Sequence, residues 1–106
     1  MKKIMSAKKP PSAVIAGADV LAIGAISAAA RLGFNVPKDV SVVGIDNIPF
    51  ASYTIPPLTT IAVEAYEIGV KAVEAVTWAK TYGDGTARHV QYEGKLIVRE
   101  SCAPFI

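Results

Sequence analysis

The chain has 106 residues, enough to bury the core of one domain but too few for two full domains and a linker. Hydrophobic residues make up 52% and charged residues 19%, which excludes a disordered chain and favours a tightly packed α/β interior. Four of the 11 basic residues lie among the first nine, so the formal net charge of +2 becomes −2 for the rest of the chain. The longest uncharged apolar stretch, Val20 to Ala30, is too short to span a bilayer.

Cys102 is the only cysteine and His89 the only histidine. This composition excludes an internal disulfide, a cysteine-based metal site and a histidine pair for a metal, and no Ser-His-Asp arrangement is evident. An enzyme would therefore have to use carboxylates or lysines, and we predict no metal ligand and no cofactor. The N-terminus lacks an apolar segment followed by a small-residue cleavage site, so the expected location is cytoplasmic.

The first half of the chain predicts a strand, a helix and a second strand. Residues 2–9 are typical of a helix end that the following two prolines terminate. Residues 13–17 form a short apolar run that predicts a strand buried on both faces, and Asp19 can then cap a helix over residues 20–32. Residues 40–45 predict a second buried strand, rich in β-branched side chains. Two parallel strands joined by a helix, with a right-handed crossover, is the most economical arrangement.

The second half of the chain predicts a third strand, a long helix and one or two terminal strands. A loop over residues 47–57 with three prolines leads to a short strand at residues 58–62. A turn is predicted at residues 82–86, and one or two strands follow within residues 90–99. Residues 64–80 predict a second long helix because apolar side chains recur there at helical spacing, namely Ala65, Ile68, Ala72, Ala75, Val76 and Ala79.

The first long helix is apolar around its whole circumference, with Ser27 as the only polar side chain between residues 20 and 30. One face suits packing on the sheet: Ala22, Ile26, Ala29 and Leu32. The opposite face also lacks charge, although a surface helix would be charged there: Val20, Ile23, Gly24 and Ser27. Either another part of the domain or a partner chain must cover this second face, and we expect a partner chain.

Asp46 is a ligand candidate because it directly follows the second strand, and ligands of open α/β sheets bind at the carboxyl ends of strands. The alternative is a turn-initiating aspartate whose side chain caps Asn47 or Ile48. Asp19 has the same ambiguity at the end of the first strand, although its position favours a helix N-cap. A phosphate loop is excluded because Gly17 stands alone before the helix, without the repeated glycines that wrap a pyrophosphate.

Five separated motifs carry a resemblance that runs from about residue 4 to the C-terminus. They are Ser12 to Ala25, Val36 to Ile48, Pro56 to Ile61, Glu67 to Gly69 and Leu96 to Cys102. Together, and in this order, they are similar to the LacI/GalR family of bacterial transcription regulators. The resemblance covers the last third of such a regulator. Its helix-turn-helix headpiece, hinge helix and first effector subdomain have no counterpart here.

This resemblance implies a periplasmic-binding-protein-like fold of class I, an α/β sandwich with parallel sheets. Residues 1–106 would be a partial domain, the C-terminal part of the effector-binding domain. Residues 12–56 and 88–106 would belong to the C-terminal subdomain, and residues 58–86 to the N-terminal subdomain. A small ligand, usually a sugar or a nucleobase, would lie in the cleft between the subdomains.

The same resemblance implies roles for individual residues. Asp46 matches the family's aspartate that hydrogen-bonds the effector, and Asn47 stands where the family often has a second aspartate. Ala18 stands where the family commonly has an asparagine that contacts the effector, so one polar contact would be missing. Together with Asp19, these are the candidate ligand-binding residues. The helix and loop through which the family dimerises correspond to Val20, Ile23, Ser27, Tyr53 and Thr54, with core packing as the alternative for Ile23.

The leading hypothesis is the effector-binding and dimerisation part of a LacI-type transcription regulator, which performs no chemistry. Its expected partners are a small-molecule effector such as a sugar, a second copy of the chain, and DNA only through the headpiece, with no membrane. The alternative with the same fold is part of a periplasmic sugar-binding transport protein. A third hypothesis is a small α/β enzyme with Asp46 as base. The lack of a nucleophile, a metal cluster or a second titratable group beside Asp46 argues against it.

Overall fold

The computed structural model describes residues 1–83 and 89–105, in which helices accompany one four-stranded mixed sheet. In chain order the elements are helix α1 (Lys2–Met5), strand β1 (Ala13–Ile15), helix α2 (Asp19–Arg31), strand β2 (Ser41–Asp46), a 3-10 helix (Pro49–Tyr53), strand β3 (Thr59–Ala62), helix α3 (Ala65–Tyr82) and strand β4 (Lys95–Ile97). The predicted turn at residues 82–86 lies mostly outside the described residues. Of the one or two strands predicted within residues 90–99, the structure contains one, β4.

β2 lies between β1 and β3 in the sheet, and these three strands are parallel. β4 pairs with β3 in the antiparallel sense, which makes the sheet mixed. Buried and half-buried residues alternate along β2, with Val42 and Gly44 buried. The strand-helix-strand unit predicted from the first half of the chain is therefore confirmed.

α2 packs on the sheet through Ala22, Ile26 and Ala29, which are buried as predicted. The apolar interior consists of two clusters, one of Ala22, Ile26, Val42, Ala51 and Leu58 and the other of Met5, Ala29 and Val40. The prediction for Leu32 was wrong. The helix ends at Arg31, so Leu32 lies at the C-cap and is 38% exposed.

β1 is less buried than its sequence predicts. We expected a strand covered on both faces, yet Ile15 is 73% exposed. β1 is an edge strand of the sheet that the described residues form, so only β2 pairs with it. Its apolar composition therefore marks a surface that these residues leave uncovered.

The chain divides into two compact units, Met1–Ala62 with Lys95–Ile106 and, separately, Val63–Gly94. β3 belongs to the first unit, where it pairs with β2. The division between the two units therefore falls after Ala62.

In the second unit, α3 has no buried residue. The helix forms as predicted, but apolar side chains of it are exposed, with Val73 at 67% and Val76 at 59%. Lys71 forms an ion pair with Glu74 at 2.8 Å. Neither α3 nor another described helix combines the length and apolar composition needed to cross a bilayer.

Ser101, which follows β4, forms hydrogen bonds to both β2 and β3. Its side chain is fully buried, and its hydroxyl donates to the Val42 carbonyl at 2.6 Å and accepts from the Thr59 amide at 2.8 Å. The Val42 amide donates in turn to the Ser101 carbonyl at 2.9 Å. One buried residue thus satisfies backbone groups of two neighbouring strands.

Candidate functional site

The carboxyl end of β2 carries the predicted ligand residue Asp46. Asp46 has a φ of 117°, and Asn47 follows with a φ of 53°. Positive φ values cost a non-glycine residue about 1–3 kcal/mol, so neighbouring contacts must hold two such residues in succession. The Asp46 side chain is exposed and has no hydrogen-bond or ion-pair partner among the described residues.

The alternative role for Asp46, a side chain that caps Asn47 or Ile48, is wrong. The Asn47 amide donates to Thr60 Oγ1 at 3.3 Å, and the Ile48 amide donates to Asp19 Oδ2 at 2.9 Å. Because both amides have other acceptors, the Asp46 carboxylate is free to accept hydrogen bonds from a ligand. An ionised carboxylate acts only as an acceptor, which suits ligand hydroxyl or amine groups.

The Asn47 side chain is engaged within the protein. Its Oδ1 accepts a hydrogen bond of 2.8 Å from Arg99 Nη2, and Arg99 Nη1 donates to the Leu58 carbonyl at 2.7 Å. The Arg99 amide also donates to Thr59 Oγ1 at 2.9 Å. The carbonyl oxygen of Asn47, a predicted ligand-binding residue, is therefore paired with a guanidinium of its own chain.

Asp19 is not the predicted N-cap. Ala18 occupies the N-cap position of α2 without a side-chain hydrogen bond, and Asp19 begins the helix with a fully buried side chain. Its Oδ1 accepts a hydrogen bond of 2.5 Å from the Thr60 hydroxyl, and its Oδ2 accepts the Ile48 amide. The carboxylate therefore joins the start of α2 to β3 and to the loop after β2.

Gly44 makes room for the Asp19 carboxylate. A Cβ atom at Gly44 would collide with Asp19 Oδ1 and would lie 3.0 Å from Leu58 Cδ2. Only glycine permits this close approach between α2 and the middle of β2. Ala18, beside Asp19, is half-buried with extended backbone, and its methyl group offers a ligand no hydrogen bond.

The hydrogen bond between Asp19 and Ile48 joins the start of α2 to the loop after β2. The predicted ligand residues Ala18, Asp19, Asp46 and Asn47 therefore lie at the carboxyl ends of β1 and β2, with the Asp46 carboxylate exposed.

Sequence reasoning missed Arg99 because its partners Leu58 and Asn47 are 41 and 52 residues away along the chain. The available signal was a basic residue directly after an apolar strand. Within residues 1–83 and 89–105, no group of three or more His, Cys, Asp or Glu side chains could hold a metal ion.

A second surface feature of the first unit is a groove of about 340 Å³ between α2 and the loop that contains the 3-10 helix. Four of the five predicted interface residues line it, namely Ile23, Ser27, Tyr53 and Thr54, together with Ile26, Ala30, Phe50 and Ile55. Val20 lies outside the groove lining and is 64% exposed on the same helix. Ile23 is half-buried and packs against the core, and another part of its surface lines the groove.

The apolar rim of this groove is well exposed. Phe50 is 59% exposed, Tyr53 76% and Ile55 92%. The Thr54 hydroxyl lies within hydrogen-bond distance of the Ala51 and Pro56 carbonyls, so it stabilises the loop. Three large apolar side chains around one depression form a patch of the kind that protein interfaces cover.

Comparison with known proteins agrees with this architecture. Residues 1–102 match the model of the periplasmic binding protein-like domain. The chain belongs to this family. The predicted fold class, a periplasmic-binding-protein-like α/β fold present as a partial domain, is thereby confirmed.

This periplasmic binding protein-like domain spans about a third of the length of the relatives that it matches. The HTH-type transcriptional repressor PurR of Edwardsiella ictaluri is 40% identical over 108 residues, which cover 100% of this chain and 32% of PurR. A protein of Bacillus cereus subsp. cytotoxis described as a transcriptional regulator LacI superimposes with a TM-score of 0.87 at 33% identity, covering 96% of this chain and 36% of that one. A LacI family transcriptional regulator from Enterococcus faecium, solved with bound ribose, gives a TM-score of 0.78 at 26% identity, covering 98% and 38%. The domain therefore resembles, in sequence and in structure, about a third of each of these transcriptional regulators.

Proposed function

We propose that this chain is the effector-binding and dimerisation part of a LacI-type transcription regulator and that it performs no chemistry. The observation that carries the proposal is the Asp46 carboxylate, exposed and unpartnered among the described residues at the carboxyl end of β2. The relatives, a transcriptional repressor and LacI-type regulators, support a regulator over a transport protein.

The proposed effector is a small neutral molecule with several hydroxyl groups, such as a sugar. Two oxygens of one carboxylate can accept hydrogen bonds from neighbouring hydroxyls, and a charged acceptor makes these bonds stronger than neutral ones. The ribose bound by the Enterococcus faecium regulator supports this class of ligand. The methyl group of Ala18 leaves one side of the site without a polar contact, so we expect a ligand that is apolar or unsubstituted on that side.

In the whole regulator we propose that the first unit belongs to the C-terminal subdomain and the second unit to the N-terminal subdomain. Ligand closure of the cleft between subdomains would shift the population of two arrangements and thereby change DNA affinity. DNA would be bound by a helix-turn-helix headpiece, which has no counterpart in these residues. A regulator that acts on bacterial DNA works in the cytoplasm.

The effector claim is tested by calorimetry on the regulator with a panel of probes: D-ribose, D-glucose, cellobiose and adenosine. For the probe that binds, Asp46→Ala should weaken affinity by about 1.5–3 kcal/mol, the size of a hydrogen bond to a charged group. Glu93→Ala is the matched control, since it removes an exposed carboxylate from the second unit. Equal affinity of the wild type and Asp46→Ala, with an intact fold, would remove Asp46 from the site.

The dimer claim concerns the groove beside α2. Ile23→Glu would bury an unpaired charge in an apolar interface, which costs several kcal/mol unless the interface opens, so sedimentation should show a shift towards monomer. Leu21→Glu is the control because Leu21 is exposed on the same helix but does not line the groove. If both variants remain equally associated, this groove is not the interface.

A further inference from the structure

The loop after β2 is held by polar contacts from three distant parts of the chain. The Asn47 amide is bound by Thr60 of β3, the Ile48 amide by Asp19 of α2, and the Asn47 side chain by Arg99, which follows β4. Thr60 also donates to Asp19, so two of the three contacts belong to one buried network. The amides of Asn47 and Ile48 and the side chain of Asn47 are thus held by the rest of the chain. The neighbouring Asp46 carboxylate has no hydrogen-bond partner among the described residues.

Arg99 binds a side chain of the loop, whereas Thr60 and Asp19 bind its backbone amides. Its guanidinium spans Asn47 Oδ1 and the Leu58 carbonyl, at 2.8 and 2.7 Å, from a half-buried position. Leu58 is fully buried and adjoins β3, so the guanidinium connects a rigid part of the core to the loop. A planar guanidinium presents its N–H donors in a fixed fork, which sets the distance and direction between the two acceptors.

The direction of the Asp46 side chain depends on this loop. The Cα–Cβ bond of a residue points where its backbone angles send it, and Asp46 and Asn47 both have positive φ. Without outside contacts, non-glycine residues favour negative φ, where steric conflict is smaller. Holding Asn47 in its left-handed conformation therefore also holds the preceding peptide, and with it the direction of the Asp46 carboxylate.

We propose that Arg99 is a positioning residue for effector binding. It holds Asn47 through the fork to Leu58 and thereby aims the Asp46 carboxylate at the hydroxyl groups of a polyhydroxy ligand. This rests on the proposed function, in which Asp46 binds the effector. Lysine cannot replace Arg99 fully, because a single ammonium group does not reproduce the planar fork.

The test compares Arg99→Met and Arg99→Lys in the regulator. Arg31→Met is the matched control, since Arg31 is an exposed arginine in the last turn of α2. Amide hydrogen exchange without ligand should be at least about tenfold faster at Asn47 and Ile48 in Arg99→Met, with the amides of α2 unaffected. Affinity for the probe that binds, among D-ribose, D-glucose, cellobiose and adenosine, should fall about tenfold, with Arg99→Lys intermediate and Arg31→Met unchanged.

A second variant keeps the proposal testable if Arg99→Met fails to fold. Asn47→Gly adopts positive φ without strain but lacks the acceptor for Arg99, so it should show the same faster exchange at Ile48 and the same loss of affinity. In the Asn47→Gly background, Arg99→Lys should add no further loss, because the two residues act through one contact.

Two results would overturn the proposal. Unchanged exchange at Asn47 and Ile48 in a folded Arg99 variant would show that the loop does not depend on Arg99. Faster exchange with unchanged probe affinity would show that Arg99 supports the fold alone. Failure of the proposed function is distinguishable: Asp46→Ala would then leave probe affinity unchanged, or no probe would bind, while the exchange measurement still decides whether Arg99 holds the loop.

Discussion

The two long helices, α2 and α3, share an apolar sequence pattern but differ completely in burial. α2 buries Asp19, Ala22, Ile26 and Ala29, whereas α3 buries none of its residues. α2 connects two neighbouring parallel strands, so its own flanking segments form the sheet on which it packs. α3 belongs to a unit whose described residues contain no strand. Apolar periodicity therefore predicts which face of a helix can pack, while the surface that covers that face depends on the rest of the fold.

The largest expected effect concerns one aliphatic side chain from each helix. Ile26→Ala should destabilise the protein by about 3 kcal/mol, because a side chain that is 8% exposed leaves a cavity in the core. Val76→Ala should change the free energy of unfolding by less than about 0.5 kcal/mol, since Val76 is 59% exposed. Urea unfolding measures both changes. A cost above about 1 kcal/mol for Val76→Ala would break the comparison, because it would mean that α3 is covered in solution.

The next effect concerns the acidic residue in the first turn of each helix. Asp19→Ala should cost about 2–3 kcal/mol, because it leaves the Thr60 hydroxyl and the Ile48 amide without their acceptor. Glu67→Ala in α3 should cost about 0.5 kcal/mol, the value of an exposed charge near a helix N-terminus. Thermal unfolding of both variants at the same salt concentration measures the two costs. Similar values would contradict a structural role for the buried Asp19 carboxylate.

The smallest effect compares an exposed glycine in each helix. A Cβ added at Gly24 of α2 or Gly69 of α3 meets nothing within 4 Å. Glycine to alanine should therefore stabilise each helix by about 0.5–1 kcal/mol through helix propensity. Circular dichroism melts provide the measurement. Destabilisation at either position would show that a neighbour covers that side of the helix and would sharpen the contrast between α2 and α3.

Much of the first unit could be predicted from local signals. Short apolar runs, β-branched residues and the position of Asp19 before an apolar segment predicted β1, α2, β2 and β3 to within about two residues, because these elements follow local rules. Burial was predicted less well. Ile15 and Leu32 were expected to be covered, but the first lies on an edge strand and the second lies just past the helix end.

The residues of the candidate site that follow from strand topology could be predicted. The contacts between residues far apart in the sequence could not. Asp46 follows from the rule that ligands lie at the carboxyl ends of strands. Asp19 resembled an N-cap because sequence does not reveal that Gly44, on the neighbouring strand, leaves space for an inward carboxylate. Arg99 reaches Asn47 across 52 residues, and no local pattern identifies such a partner.

Ser101 also determines when the first unit can finish folding during protein synthesis. Its partners Val42 and Thr59 are made 59 and 42 residues earlier. Contacts between residues so far apart form slowly, because a long loop has to close before they give any stabilisation. We therefore expect the Val42 carbonyl and the Thr59 amide to lack these partners until Ser101 has left the ribosome, which favours aggregation of the incomplete sheet. A chain whose translation ends before Ser101 would lack the hydrogen bonds from Ser101 to β2 and β3. We expect chaperones and proteases to act on such a chain.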